Sequence, residues 1–152
     1  MIVKTLSDVI AQIESSNCQF ALRFESGMFQ SLNTPSPAGM AIIKTIQNIH
    51  NCNMTSAKMI YCTSFGKWQS MGFNVYDPAF GYTKPISQYM DNALDQLAQF
   101  NWFVNNKGIN FTTDQLAASQ TTRITFAQKY NGAASYADLI KAQLINAGYT
   151  VL

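Results

Sequence analysis

The sequence predicts a mainly α protein carrying at most a small β-hairpin, confined to residues 64–82. Apolar residues recur at helical spacing through most of the chain, between residues that cap helices. That period lapses only from Ser64 to Tyr82, where Gly66, Gly72, Pro78 and Gly81 interrupt a run rich in aromatic residues. The 152 residues are 47% hydrophobic and only 12% charged, enough to bury a core without staples, so residues 1–152 are expected to form one domain.

Leu6, Val9, Ile10 and Ile13 share one face of a first amphipathic helix. Asn17 suits the N-cap of a second helix through Ala21, Leu22 and Glu25, with Gly27 ending it and Glu25 in its last turn. Residues 33–39 hold Pro35, Pro37 and Gly39 and read as loop. Met40, Ile43, Ile46 and Ile49 mark another helix, ended by the polar break Asn51-Cys52-Asn53 before the apolar run Met59-Ile60-Tyr61. The longest helix is expected from Ile86 to Asn106, central and buried, with Gly108 just past its end. Thr112 with Gln115, and Ser135 with Asp138, have the spacing of capping arrangements for two later helices, and Gly148 follows the last. Thr122 to Tyr130 is a further helical stretch. No internal repeat or low-complexity tract is present.

Composition and motifs exclude several kinds of function. Ten Lys and Arg against eight Asp and Glu give a net charge of +2, far from a dense phosphate-binding patch, so nucleic acid is not an expected partner. Cys18, Cys52 and Cys62 are odd in number and lack CxxC spacing, which favours buried free thiols and leaves one pair open. His50 beside Cys52 lacks a second ligand pair, and no metal or cofactor is implied. His50 is the sole histidine and has no nucleophile-elbow sequence around it, which argues against Ser-His or Cys-His catalysis. The glycines never assemble a phosphate-cradling loop. Asp8 and Glu14 interrupt the N-terminal apolar run before a signal-peptide core forms, and no stretch reaches the roughly 18 apolar residues of a membrane span. A chain without a signal peptide and without stable membrane association is therefore expected.

Only two glutamates are present. Glu14 has polar neighbours and reads as solvated surface. Glu25 follows Phe24 and precedes Ser26-Gly27, a setting in which partial desolvation would raise its pKa towards that of a general acid; an ordinary helix-end carboxylate is the alternative.

The segment Ala21-Leu22-Arg23-Phe24-Glu25-Ser26-Gly27 resembles the catalytic Glu-Ser segment of the phage N-acetylmuramidase domain family of endolysins. That family is similar to goose-type lysozymes and soluble lytic transglycosylases. Ser64-Phe65-Gly66-Lys67-Trp68-Gln69-Ser70-Met71-Gly72-Phe73-Asn74 resembles its cleft stretch, Gln96-Leu97-Ala98-Gln99-Phe100 its long helix, and Phe126-Ala127-Gln128-Lys129-Tyr130-Asn131-Gly132 its Phe-Ala-x-x-Tyr-Asn-Gly signature. Order and approximate spacing hold over about residues 18–145. Ser70 departs from the apolar residue usual there, Ala133-Ala134-Ser135 replaces the usual turn residue, and the stretch between Glu25 and Ser64 is shortened.

The resemblance implies a lysozyme-like helical domain that cleaves peptidoglycan, with Glu25 as catalyst. It implies substrate contacts from Ser26, Ser64, Gly66, Trp68, Gln69, Met71, Phe73, Asn74, Tyr130 and Asn131. The amides and hydroxyls of Gln69, Asn74, Tyr130 and Asn131 suit sugar recognition, and Trp68 and Phe73 suit stacking; turn closure and core packing are the alternatives. Ser26 and Ser64 either orient substrate or cap turns. Asp77 is the candidate second carboxylate, though Tyr76-Asp77-Pro78 equally suits a turn. Muramidase, lytic transglycosylase and an inactive wall-binding protein all remain open. The expected enzyme is a monomer without a cofactor, made in the cytoplasm of a phage-infected bacterium and delivered to the wall through holin lesions or in a virion.

Overall fold

A computed structural model describes residues 4–152. In chain order its elements are α1 (Leu6–Ser15), β1 (Leu22–Phe24), α2 (Ser26–Ser31), α3 (Pro37–His50), α4 (Met54–Tyr61), β2 (Thr63–Phe65), β3 (Ser70–Met71), α5 (Gly72–Val75), α6 (Ile86–Asp91), α7 (Ala93–Asn106), α8 (Thr113–Ala118), α9 (Gln120–Tyr130) and α10 (Tyr136–Asn146). The protein is mainly α with a small antiparallel sheet, as the helical period and its one lapse predict. The chain divides into two compact units, one of Cys18–Gln99 and one of the residues up to Asn17 with Phe100–Leu152; the division falls within α7. Among the described residues no helix is long and apolar enough to cross a membrane.

In the Cys18–Gln99 unit, Ile43, Ile46, Ala57, Phe65, Val75, Tyr76 and Tyr89 form the buried core. The isoleucines of α3 supply it at helical spacing, and α4 packs against α3 after the short break at Asn51-Cys52-Asn53. Asn51 is left-handed at φ 47° and ends α3, while the Asn53 side chain accepts from Ser56 N–H and starts α4. The sheet has strand order β1-β2-β3, with Arg23 opposite Ser64 and Ser64 opposite Met71. Gly72 follows β3 where the chain passes under the end of α4: a Cβ there would lie 2.0 Å from the Ile60 carbonyl oxygen. Only glycine permits that approach.

In the other unit α10 packs on α1 and α9, burying Val9, Ile10, Phe126, Ile140 and Leu144. Thr112 and Gln115 form the expected capping box at α8. Arg123 is 1% exposed and donates to the carbonyls of Leu116, Ala117 and Leu152. Glu14 is not solvated surface: it accepts a 2.6 Å hydrogen bond from the buried Tyr136 hydroxyl, whose pKa burial pushes up.

Other sequence expectations also require correction. There is no helix over residues 17–25. Ser16 and Asn17 are left-handed, at φ 53° and 65°, and end α1, after which residues 22–24 pair with β2. The loop before α3 stops at Ser36, whose hydroxyl accepts from Gly39 N–H, with Pro37 in the first helical turn where no N–H is needed. The Ile86–Asn106 helix is two helices, because Asn92 turns extended (φ −111°, ψ 101°) and its side-chain oxygen accepts from Leu94 and Asp95 N–H. Nor is that stretch buried throughout, since Leu94 is 75% exposed. Ser135 precedes α10, but its side chain makes no capping bond.

Candidate active site

The ladder between β1 and β2 places the candidate acid. Arg23 pairs with Ser64 and Phe24 with Thr63, and the register continues one step further as Glu25 N–H donates to Cys62 carbonyl at 2.9 Å. Glu25 is thus the last residue in the ladder and the N-cap of α2, with Phe29 N–H bonded to its carbonyl at 3.0 Å. Its backbone is held on both sides. Its side chain leaves the junction 35% exposed, and Oε1 lies 2.6 Å from Arg23 Nε, on a side chain 64% exposed. The expectation of a last-turn glutamate in an apolar setting therefore gives way to a strand-end glutamate paired with arginine.

The hairpin beside this junction is built from its own polar atoms. The buried Ser64 hydroxyl lies 2.8 Å from Gln69 Oε1 and 3.3 Å from the Arg23 carbonyl oxygen, both acceptors. Gln69 is left-handed (φ 47°), and its amide and backbone N–H both donate to Gly66 carbonyl, at 3.0 and 3.1 Å. Gly66 has φ 79° and receives the Gln96 side chain so closely that a Cβ would lie 2.3 Å from Gln96 Oε1. That oxygen accepts from Lys67 N–H at 2.9 Å, while Gln96 Nε2 reaches the carbonyls of Gln19, Tyr89 and Met90. One fully buried amide thereby ties the hairpin turn to the residues before β1 and to the end of α6.

The structure brings Glu25, Ser26, Ser64, Gly66 and Gln69 together around β1 and β2, with Ser26 exposed as the first residue of α2. Trp68 is 7% exposed, which is core packing, and half-buried Phe73 has its ring 5.2 Å from that of Tyr61. Met71, the last residue of β3 and N-cap of α5, and Asn74 within α5 are both half-buried. Asp77 Oδ1 accepts from Ala79 N–H at 2.8 Å, so its carboxylate closes a turn. Tyr130 and Asn131 belong to the other unit. There the Tyr130 ring stacks on Phe126 at 5.2 Å and Tyr136 at 5.9 Å and meets Phe103 edge-on at 5.7 Å, while exposed Asn131 ends α9.

Residue-by-residue reading missed Arg23 and Gln96 as parts of this arrangement. Residues two apart face each other on a strand and diverge on a helix, so reading 17–25 as helix hid the Arg23–Glu25 pair. Gln96 carried the weaker signal of a polar residue on the inward face of an amphipathic helix. His50 is occupied elsewhere: its Nε2 lies 2.8 Å from the Tyr76 hydroxyl and accepts from Ile86 N–H at 3.4 Å, and burial lowers its pKa. The three cysteines are free thiols, but of the three expected to be buried only Cys62 is, with Cys18 exposed and Cys52 half-buried; burial pushes the Cys62 thiol up.

Comparison with known proteins places this arrangement among the phage endolysins, and the chain belongs to that family. The relative that carries the assignment is the endolysin of Enterobacteria phage PRD1, 38% identical over 138 residues, an alignment spanning 90% of this chain and 91% of the relative. No protein-family model matches the chain, and no solved structure does.

Proposed function

We propose that this endolysin is a muramidase of lysozyme-like fold, cleaving the β-1,4 bond between N-acetylmuramic acid and N-acetylglucosamine of peptidoglycan with Glu25 as general acid. The observation that carries the reading is the Glu25 carboxyl itself. It stands accessible at a junction whose backbone is fixed by Cys62 and Phe29, beside a hairpin held rigid by Ser64, Gln69 and Gln96. A fixed backbone under a partly exposed carboxyl suits a group that delivers a proton to a leaving oxygen.

Glycosidic cleavage also requires help at the cationic centre that forms as the bond breaks. Asp77 is committed to its turn, which favours a route in which Glu25 serves as acid and then as base, assisted by the sugar's own N-acetyl or 6-hydroxyl group. Attack by water yields a reducing end; attack by the 6-hydroxyl yields a 1,6-anhydro end. Within the Cys18–Gln99 unit the sugar contacts of this reading are Ser26, Ser64, Gly66, Gln69, Met71, Phe73 and Asn74, with buried Trp68 as support. The protein acts on the bacterial wall as a monomer.

The test is a comparison of Glu25→Gln with the wild type on purified peptidoglycan, the released fragments being read by mass spectrometry. Loss of glycan release in the variant is expected. Equal release by both proteins would sink the assignment, and the mass of the new ends separates hydrolysis from the lytic outcome.

A further inference from the structure

Arg23 meets Glu25 across 2.6 Å, yet the arginine side chain is 64% exposed and has a free path to solvent. Its backbone is pinned, with the carbonyl facing Ser64 Oγ and the residue paired to Ser64 in the ladder. The guanidinium is therefore a mobile cation on a fixed stem, carried on the strand face from which the carboxyl of the proposed acid also emerges. A carboxylate clasped by a guanidinium accepts hydrogen bonds and has no proton to give. For Glu25 to protonate a glycosidic oxygen, Arg23 must first find another anion.

We infer that Arg23 is a carboxylate-recognition residue for the glycan strand, exchanging Glu25 for a carboxylate on the muramic acid side and so releasing the acid only when an anionic strand is bound. This rests on the reading of Glu25 given above. The charges balance: the guanidinium moves from one carboxylate to another, and the vacated Glu25 carboxylate takes up a proton from solvent hydronium, leaving neutral water, and then passes that proton to the leaving oxygen. Arginine suits the exchange because its planar fork binds any carboxylate in the same two-point geometry. Two substrate carboxylates have this chemistry, the free lactyl group of strands stripped of peptide and the carboxylates of the peptide stem. Neutral β-1,4 chitin oligomers carry neither.

The experiment compares wild type, Arg23→Gln, Arg23→Lys and Glu25→Gln on three glycans: intact peptidoglycan, strands stripped of peptide by an amidase, and chitohexaose. Affinity is measured for all three and turnover for the first two. In Arg23→Gln, affinity for at least one anionic glycan is expected to fall about tenfold while affinity for chitohexaose is unchanged. Arg23→Lys should recover part of the loss. A loss on intact peptidoglycan alone assigns the stem carboxylate, a loss on stripped strands alone the lactyl group, and a loss on both shows that either serves. Equal weakening on all three glycans, or none on any, overturns the proposal while Glu25→Gln stays inactive. Full turnover by Glu25→Gln overturns the reading beneath it and this proposal together.

Discussion

Arg23 and Glu25 meet because residues 22–24 are strand: two positions apart, their side chains emerge on one face and close to 2.6 Å. The same strand fixes the Glu25 backbone, so the reach of its carboxyl depends on side-chain length alone. Glu25→Asp keeps the charge and withdraws the carboxyl by one methylene. Activity on peptidoglycan is expected to fall by about a hundredfold, the order of a general acid's contribution, while stability changes by less than about 1 kcal/mol because the pair is exposed. Turnover and denaturant midpoints, measured together, test this; a large stability loss with matching inactivation would assign Glu25 a structural role.

Gly72 and Gly27 should respond in opposite ways to alanine. At Gly72 the added methyl meets the Ile60 carbonyl oxygen at 2.0 Å, a backbone atom that cannot swing aside, and the cost expected is about 2 to 3 kcal/mol. At Gly27, inside α2, nothing lies within 4 Å, and alanine should stabilise by about 0.5 kcal/mol through its better helix propensity. Urea unfolding of the two variants checks both signs.

Helices announced by caps were legible in the chain: Thr112 with Gln115 starts α8, and the isoleucine period of α3 runs up to Asn51. The break at Asn92 was not, because Met90, Leu94 and Leu97 keep the helical period across it while the Asn92 side chain does the interrupting. β1 was hidden for a different reason. All three of its side chains are exposed, so it shows no alternation of burial, and its place in the sheet comes from the hydrogen bonds its backbone makes with β2. The candidate site divides along the same line. Ser64, Gly66 and Gln69 were readable as a motif, whereas Arg23 became meaningful only once its segment was strand.

His50 links stability to pH. Burial holds its pKa below the ordinary value of 6.5, so the folded protein keeps the ring neutral at pH values where the unfolded chain already binds a proton. The stabilising effect is complete above pH 6.5 and is lost as pH falls through the lowered folded value. Wild type should therefore lose stability as pH falls below 6.5 more steeply than His50→Gln, whose amide can meet Tyr76 but does not titrate. Parallel slopes for the two proteins would show that His50 does not carry the dependence.

The three thiols should react in the order of their exposure. Cys18 is exposed, Cys52 half-buried and Cys62 buried, with burial raising the Cys62 thiol and so depleting its reactive thiolate. A chromogenic disulfide reagent at neutral pH is expected to modify Cys18 first and to reach Cys62 only when denaturant opens the core. Mass mapping of the modified peptides gives the order, and early labelling of Cys62 would contradict the packing under Glu25.

Arg123 is a cation inside an apolar core, and what offsets its burial is a set of carbonyls. Nη1 reaches Leu116 and Ala117 oxygens at 2.6 and 3.2 Å, and Nη2 reaches Leu152, whose own N–H bonds back to Ala117 at 3.0 Å. The fork thus binds the end of α8 and the segment at Leu152 as one object. Arg123→Met fills similar volume and leaves those carbonyls short of donors, so a loss of about 2 to 4 kcal/mol is expected. Arg123→Lys keeps the charge but offers a point donor on a flexible stem in place of a planar fork, and should recover less than half of it. Methionine at no cost would mean that burying the guanidinium costs as much as its hydrogen bonds return; lysine equal to wild type would mean that the charge, not the fork, holds the segment in place.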